Sequence, residues 1–246
     1  MKTAAVIPAR YASTRLPGKP LKDICGKPML WWVYNRIKKA EKINQIVVAT
    51  DDKRIVDCCD NYEIPSVMTG THNTAANRIQ EVSKTIEADF YLQVNGDEPL
   101  IQYELLTMAV PEEIPQDVEF GTNIITKMSN PVEVMDNSNI KVVFDENLKA
   151  LYMSRTPVPY PFKSINYEYY KHVGIIGYNK KMLDFYANSK PGRFEVIEGI
   201  DTLRFLDYGK TLQFVIAENV KSLSVDTQKD LEYVTEIIKN GANNEH

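Results

Sequence analysis

The sequence predicts an α/β protein with a mostly parallel central sheet. Three short apolar runs, at residues 4–7, 45–50 and 90–95, are rich in Val, Ile, Leu and Ala, as strands buried on both faces are. Segments with helical spacing alternate with these runs, at residues 29–40, 53–62 and 75–86. Strands that alternate with helices form parallel sheets through right-handed crossovers, so we expect this architecture for residues 1–110.

The length and composition are those of a single soluble domain. The chain has 246 residues, of which 43% are hydrophobic and 25% charged. Its net charge of −4 argues against a general nucleic-acid binder. No apolar run approaches the roughly 18 residues of a membrane span, and the first one ends at Pro8, too early for a signal peptide. Three cysteines and three histidines suggest neither a disulfide framework nor a zinc site, so we expect a cytoplasmic protein.

The second half of the chain has a different character. Between residues 111 and 210, β-rich segments at 120–128, 140–144, 150–154 and 172–178 are separated by polar or Pro-rich turns. We interpret this region as an antiparallel insertion that forms a lid, a dimer contact or both. Helical spacing returns at 182–187 and 199–208. Residues 211–246 are expected to add a strand at 211–217 and a closing helix at 228–239, followed by a frayed tail at 241–246.

A basic loop follows the first strand. Between residues 10 and 27 the chain has five basic residues (Arg10, Arg15, Lys19, Lys22 and Lys27) and a single acid, Asp23. A basic loop with Gly and Ser at the carboxyl end of a first strand is where an α/β fold binds phosphate. A solvated charged loop is the alternative. The order of strand, loop and apolar helix favours a site for a nucleoside triphosphate.

Two aspartates are candidate metal ligands. Asp97 lies in the Gly-Asp-Glu-Pro turn after the third strand, and Asp226 lies in Val-Asp-Thr before the closing helix. Each has an ordinary structural explanation, the first as a turn residue and the second as a helix N-cap. Together, beside a phosphate loop, they fit Mg²⁺, which takes one or two carboxylates plus phosphate oxygens.

Three further residues are ambiguous from their spacing alone. Arg78 follows a polar turn with helical register and fits an ordinary surface residue. Arg155 follows the β-segment at 150–154, and His172 is the first residue of the β-segment at 172–178. Either could hold a carboxylate, and either could be a structural hydrogen-bonding group.

The chain resembles the 3-deoxy-manno-octulosonate (Kdo) cytidylyltransferases, also called CMP-Kdo synthetases. The most specific match is residues 8–21, PARYASTRLPGKPL, supported by GKPM at 26–29 and ATD at 49–51. Along the rest of the chain the matching segments are VNGDEP (94–99), NIKVV (139–143), ALYMSR (150–155), HVG (172–174), LR (203–204) and VDT (225–227).

The resemblance implies a Rossmann-like, three-layer fold of the nucleotide-diphospho-sugar transferase type with a smaller β-rich lid and dimerisation insertion. It implies a Mg²⁺-dependent enzyme that transfers CMP from CTP to the anomeric hydroxyl of a 3-deoxy-2-ulosonic acid and releases pyrophosphate. Residues 1–110 would form the CTP-binding half and residues 111–210 the sugar-binding and dimerisation region. The expected partners are CTP, an acid sugar and a second copy of the chain, and the product would serve a lipopolysaccharide or capsule.

The resemblance also assigns residues. Arg10, Lys19, Asp97 and Asp226 would be catalytic, with Asp97 and Asp226 binding Mg²⁺. The nucleotide would be bound by Pro8, Ala9, Arg10, Ser13, Arg15, Lys19, His72, Thr74, Ala75, Arg78 and Gly96. The acid sugar would be bound by Asn95, Arg155, His172, Asp201 and Thr202, with Arg155 on its carboxylate.

Several positions depart from the family pattern. The Ser-Gly-Thr-Glu-Arg stretch of the family is Thr-Ala-Ala-Asn-Arg at 74–78, and Asn95 replaces a Gln. On the sugar side, Ile176 replaces a Tyr, and Asp201-Thr202 replaces Glu-Gln. The phosphate and metal positions are intact. We therefore expect the same chemistry on Kdo or on a related acid, such as an amino-substituted octulosonate or a nonulosonate. A CTP-binding regulator without turnover is the alternative from another class.

Overall fold

The computed structural model describes residues 1–13, 15–115, 117–164, 167–220 and 223–242. Of the tail at 241–246, where we expect fraying, residues 243–246 lie outside this part, whereas Gly241 and Ala242 belong to the last helix. The strands are β1 (Thr3–Pro8), β2 (Asp23–Ile24), β3 (Lys27–Pro28), β4 (Gln45–Thr50), β5 (Ser66–Met68), β6 (Phe90–Val94), β7 (Phe120–Lys127), β8 (Lys141–Phe144), β9 (Ala150–Ser154), β10 (Tyr170–Asn179) and β11 (Thr211–Ile216). The helices are α1 (Met29–Ile37), α2 (Lys53–Asn61), α3 (Ala75–Val82), α4 (Tyr103–Ala109), α5 (Pro131–Met135), α6 (Lys180–Asn188), α7 (Arg193–Glu198), α8 (Leu203–Asp207) and α9 (Gln228–Ala242).

Seven strands form the central sheet in the order β11-β7-β10-β6-β1-β4-β5. Strand β10 is antiparallel to both of its neighbours, β6 and β7, and every other neighbouring pair is parallel. The prediction of a mostly parallel sheet is confirmed. From β1 the chain moves through β4 to β5 on one side and then returns to β6 on the other side of β1. The reversal at β1 opens a crevice beyond the carboxyl ends of these strands, which is where such folds bind ligands.

Alternating side chains of β1 build a core on each face of the sheet. Ala5 and Ile7 pack with helices α1, α2 and α4, whereas Ala4 and Val6 pack with α3, α6 and α8. This two-residue period gives the three-layer arrangement. A third, smaller core joins α9 to the basic loop, with Val234 packed near Leu16. The closing helix therefore covers the loop that follows β1.

The strands of the second half fall into two groups. Strands β7, β10 and β11 belong to the central sheet, and β8 and β9 form an antiparallel ribbon attached to the start of β10. Within residues 111–210, this ribbon is the smaller β-rich element that projects from the sheet.

The helical segment predicted at 199–208 differs from the structure. Gly199 has a φ of 63° and ends helix α7, and α8 begins only at Leu203. Three short helices, α4, α5 and α7, are absent from the predicted elements. In the part of the chain that the structure describes, no helix is both long enough and apolar enough to cross a membrane.

Candidate active site

A cleft of about 560 Å³ lies at the crevice beside β1, within the range of about 300–1,000 Å³ that is typical of small-molecule sites. The loop after β1, the turn before α3 and the turn after β6 contribute most of its walls. Its lining includes every residue predicted to bind the nucleotide or the metal, namely Pro8, Ala9, Arg10, Ser13, Arg15, Lys19, His72, Thr74, Ala75, Arg78, Gly96, Asp97 and Asp226. The sugar-side residues Asn95 and Asp201 also line it.

Lys19 lies between the two aspartates. Its Nζ is 2.7 Å from Asp97 Oδ2 and 3.0 Å from Asp226 Oδ1. Burial acts to lower the pKa of Lys19, but the charges and hydrogen bonds of Asp97 and Asp226 outweigh it, and the pKa is raised. Lys19 is therefore a fixed positive charge in the cleft. Arg15 adds a second cation, with Nη2 3.0 Å from Asp226 Oδ1.

Backbone contacts explain why these distant residues meet. Gly18 has a φ of 67°, and its amide donates to the Tyr11 carbonyl, which closes the basic loop and starts the short 3₁₀ helix Lys19–Leu21. The Val225 amide donates to the Asp97 carbonyl at 2.8 Å, so the residue after Val225 is placed beside the turn after β6. The structure thus brings both aspartates to one cation.

The carboxylate pair fits Mg²⁺. No group of three or more His, Cys, Asp or Glu side chains able to hold a metal occurs among the described residues. The oxygens of Asp97 and Asp226 nevertheless converge on a single cationic atom, Lys19 Nζ. Two carboxylates are enough protein ligands for Mg²⁺, because this ion keeps several waters and takes phosphate oxygens as further ligands when a nucleotide is bound.

Arg78 is a buried component of the cleft wall and not the surface residue that its spacing permits. It is 3% exposed, and its Nη1 donates to Thr69 Oγ1 at 2.6 Å. Its Nη2 lies 3.3 Å from Asp51 Oδ1, at the end of β4. Burial raises the pKa of Asp51, but the Arg78 charge and the hydrogen bonds to this carboxylate together outweigh it, so the pKa is lowered. The side chain of Asp52, not Asp51, caps helix α2. The sequence match at residues 49–51 does not reveal this ion pair.

The turn before α3 is held by its own helix. Glu81 accepts hydrogen bonds from the Gly70 amide and pairs with His72, whose hydrogen bond is the main cause of a lowered pKa for Glu81. Thr74 caps α3 by accepting from the Asn77 amide. The cleft lining also includes Ala12, Pro20 and Asn73, which sequence reasoning did not select although they lie within the two segments it singled out.

Three predicted sugar-side residues do not line the cleft. Arg155 donates its guanidinium hydrogens to the carbonyls of Asn137, Glu198 and Gly199, so the prediction that it faces the sugar carboxylate is not met by this geometry. Thr202 is 4% exposed, and its hydroxyl donates to the Met153 sulfur. His172 Nδ1 is 2.8 Å from Asn123 Oδ1.

Asn123 determines which ring nitrogen of His172 carries the hydrogen. Its Nδ2 donates to the carbonyls of Val173 and Ile175, across the irregular part of β10, so its oxygen faces the imidazole. Nδ1 of His172 therefore carries the hydrogen, and Nε2 is an acceptor. Burial lowers the pKa of His172 to about 4, so the ring is neutral at pH 7.

The lowered pKa of His172 predicts a loss of stability in mild acid. The unfolded chain takes up the proton below its pKa of about 6.5, whereas the folded ring takes it up only near pH 4. The contribution of the neutral His172 ring to the free energy of unfolding is therefore fully present above pH 6.5. It is lost as the pH falls to 4, and the loss is at most about 3 kcal/mol. Urea unfolding at pH 7, 6, 5 and 4 should show this loss in the wild type and a smaller one in His172→Asn, whose amide can still donate to Asn123. Parallel curves for the two proteins would contradict the assignment.

Comparisons with known proteins show the family of this chain. Residues 4–212 match the family model described as cytidylyltransferase. This chain belongs to the cytidylyltransferase family. A 3-deoxy-manno-octulosonate cytidylyltransferase of Fusobacterium nucleatum subsp. nucleatum is 40% identical to it, over 97% of this chain and 98% of the relative. An 8-amino-3,8-dideoxy-manno-octulosonate cytidylyltransferase of Shewanella halifaxensis is 35% identical, over 94% and 96%.

A solved CMP:2-keto-3-deoxy-manno-octonic acid synthetase in complex with CTP has the same fold as this cytidylyltransferase. The TM-score is 0.91 at 33% identity, over 98% of this chain and the whole of the other. The predicted fold type and the predicted enzyme class are confirmed.

Of the three departures on the sugar side, only one reaches the cleft of this cytidylyltransferase. Ile176 is 5% exposed and packs in the core with α3 and α6, and Thr202 is buried against Met153. Asp201 lines the cleft. Burial, followed by the charge of Glu195, raises the pKa of Asp201, against the opposing charges of Arg204 and Arg10. Of the three changed positions, Asp201 alone lines the cleft, and its contact with the sugar stays a prediction.

Proposed function

We propose that this cytidylyltransferase transfers CMP from CTP to the anomeric hydroxyl of a 3-deoxy-2-ulosonic acid, with Kdo as its acceptor, in a Mg²⁺-dependent reaction. The observation that carries the proposal is the convergence of Lys19, Asp97 and Asp226 in the cleft beside β1. The names of the relatives from F. nucleatum and S. halifaxensis support the acceptor class. The CTP bound by the solved CMP:2-keto-3-deoxy-manno-octonic acid synthetase supports the donor.

The reaction is a displacement at phosphorus. The anomeric oxygen forms a bond to the α-phosphorus of CTP, and the bond from that phosphorus to the bridging oxygen breaks. Pyrophosphate leaves, and the attacking hydroxyl loses its proton. This reaction needs no protein nucleophile, so the protein accelerates it by positioning the reactants and by placing charge where charge develops.

Different residues of the cleft bind different parts of CTP. Lys19 donates to the α-phosphate and leaving oxygens, since the charges and hydrogen bonds of Asp97 and Asp226 keep it protonated in spite of burial. Arg10 and Arg15, both exposed beside the same loop, bind the outer phosphates. The turn at residues 72–78 faces the cytidine. These roles are those that the family resemblance assigns, and the place of each residue in the cleft lining supports them.

Asp97 and Asp226 would hold the metal. When bound there, Mg²⁺ supplies charge neutralisation at the triphosphate and polarises a coordinated hydroxyl. The aspartates also position Lys19, with which both form hydrogen bonds. Asp201 and Asn95 are the two sugar-side residues that line the cleft, and we assign the acceptor to their end of it.

The acceptor is tested by pyrophosphate release. The purified protein is mixed with CTP and Mg²⁺ and one of four additions: Kdo, its 8-amino analogue, a nonulosonic acid, or no sugar. We expect rapid release with Kdo and no release without sugar. Release that disappears when Mg²⁺ is chelated and returns when it is restored would support the metal assignment.

The other outcomes of this panel identify the alternatives. Release with the 8-amino sugar alone would make Asp201, whose carboxylate is one methylene shorter than the Glu of the family pattern, the residue that sets the preference. CTP binding with no release for any addition would mean a nucleotide-binding regulator. The homodimer, the cytoplasmic location and the polysaccharide served stay predictions from the resemblance.

A further inference from the structure

The turn that carries Asp201 at the cleft is hydrogen-bonded to the end of strand β9. This turn, residues 199–202, connects α7 to α8. Arg155, the residue after β9, donates from Nε to the Glu198 carbonyl at 2.8 Å and from Nη2 to the Gly199 carbonyl at 3.2 Å. Its guanidinium therefore binds the last carbonyl of α7 and the first carbonyl of the turn.

Glu198 in turn accepts hydrogen bonds from the end of β9. Its carboxylate accepts from the Arg155 amide at 2.9 Å and from Ser154 Oγ at 2.8 Å. The Arg155–Glu198 clasp, as we name these reciprocal hydrogen bonds, joins β9 to the end of α7. Its bonds run in both directions between backbone and side chain, so it fixes the position of one element relative to the other.

Two further buried contacts complete the support. Lys141 is 0% exposed, and its Nζ donates to the carbonyls of Arg155, Asp136 and Asn139. This lysine holds the backbone of Arg155 in place. At the far side of the turn, the buried Thr202 hydroxyl donates to Met153 in β9. The turn is therefore tied to β9 before and after Asp201.

We propose that Arg155 is a positioning residue that sets the Asp201 carboxylate at the acceptor end of the cleft through its clasp with Glu198. The proposal rests on the proposed function of Asp201. It accounts for an arginine whose charged hydrogen-bond donors face main-chain carbonyls and not the cleft. An Arg fork can bind carbonyls of two successive residues in fixed geometry, whereas a lysine presents a single point charge.

The first experiment needs no substrate. Hydrogen exchange of the amides of residues 199–204 is compared in the wild type, Arg155→Ala and Arg193→Ala. Arg193 lies exposed at the start of α7 and is the matched control. We expect exchange at least about tenfold faster in Arg155→Ala, because the turn loses two anchors, and wild-type exchange in Arg193→Ala. Unchanged exchange in Arg155→Ala would overturn the clasp, whether or not the proposed acceptor is correct.

The second experiment separates positioning from direct binding. Steady-state kinetics are measured for Arg155→Ala, Asp201→Ala and the double variant with the acceptor found active. We expect Arg155→Ala to raise the KM for the acceptor about tenfold and to change the KM for CTP less than twofold. In a protein that already carries Asp201→Ala, adding Arg155→Ala should change the KM for the acceptor little further. The reason is that Arg155 acts on the acceptor through the Asp201 carboxylate, which is already absent. Effects that multiply fully would instead make Arg155 a direct ligand and overturn the proposal.

A conservative variant covers the case in which Arg155→Ala does not fold. Arg155→Lys keeps the charge and the packing of the stem but cannot bind both carbonyls with a planar fork. We expect it to show faster exchange at residues 199–204 and a raised acceptor KM, in the same direction as Arg155→Ala. Full wild-type behaviour on both measures would overturn the proposal, because the charge alone would then suffice.

Discussion

Asp97→Asn should abolish turnover and leave the fold intact. The substitution keeps the size of the side chain but removes its charge, so the Mg²⁺ site loses one of its two carboxylates and Lys19 loses its partner at 2.7 Å. We expect kcat to fall by more than about 10²–10³-fold, the loss seen when a single group that acts on developing charge is removed. Pyrophosphate release over a range of Mg²⁺ concentrations measures the effect, and thermal unfolding checks the fold.

Asp57→Asn is the matched control for this variant. Asp57 is an exposed residue of α2 that pairs with Lys53 one helical turn away and does not line the cleft. It should keep wild-type turnover. Near-normal rates in Asp97→Asn, or equal losses in the two variants, would remove the metal assignment.

Lys19→Ala should cost about 2.7–4 kcal/mol of transition-state stabilisation if Lys19 acts on charge that develops during the reaction. In the free protein the change leaves two carboxylates facing each other without their shared cation. We therefore expect kcat to fall strongly, while the fold survives because Lys19 lies in a short 3₁₀ turn outside the sheet. The measurement is kcat and KM for CTP at saturating acceptor.

The division between kcat and KM determines the role of Lys19. A loss confined to KM would make it a plain binding residue. Lys22→Ala is the control, since Lys22 follows the same 3₁₀ turn and does not line the cleft. A comparable loss in Lys22→Ala would mean that the whole basic loop contributes a diffuse field and that the position of Lys19 is not special.

The buried strands are the elements that sequence reasoning located most accurately. Strand β4 has the predicted bounds, 45–50, and β1 and β6 differ from the prediction by one residue at their ends. Runs of apolar residues bounded by polar turns carry this information locally. The basic loop and the Gly-Asp-Glu-Pro turn follow the first and third strands, and parallel strands end at one edge of the sheet, so these two segments were expected to meet. The other nucleotide and metal residues came from the family resemblance.

Elements that depend on tertiary contacts were missed. Helix α7 has only six residues, and its first amides are capped by the carboxylate of Asp207, at the end of the next helix. Its Glu195 forms a buried two-bond ion pair with Arg204. No local pattern indicates either contact. The same limit applies to Arg155, whose partners are main-chain carbonyls that only the folded chain brings near it.

The reversed direction of β10 has a consequence for how this enzyme can change. Strand β7 ends at the cleft edge with Lys127, and β10 begins at the same edge with Tyr170, which pairs with Lys127. The intervening segment, residues 128–169, therefore departs and returns at neighbouring points and carries the β8–β9 ribbon. The ribbon pairs with the start of β10, and Met153 and Arg155 reach the turn that carries Asp201. A substitution in this segment can therefore act on the proposed acceptor end of the cleft while the loops after β1 and β6, at the proposed triphosphate end, keep their contacts.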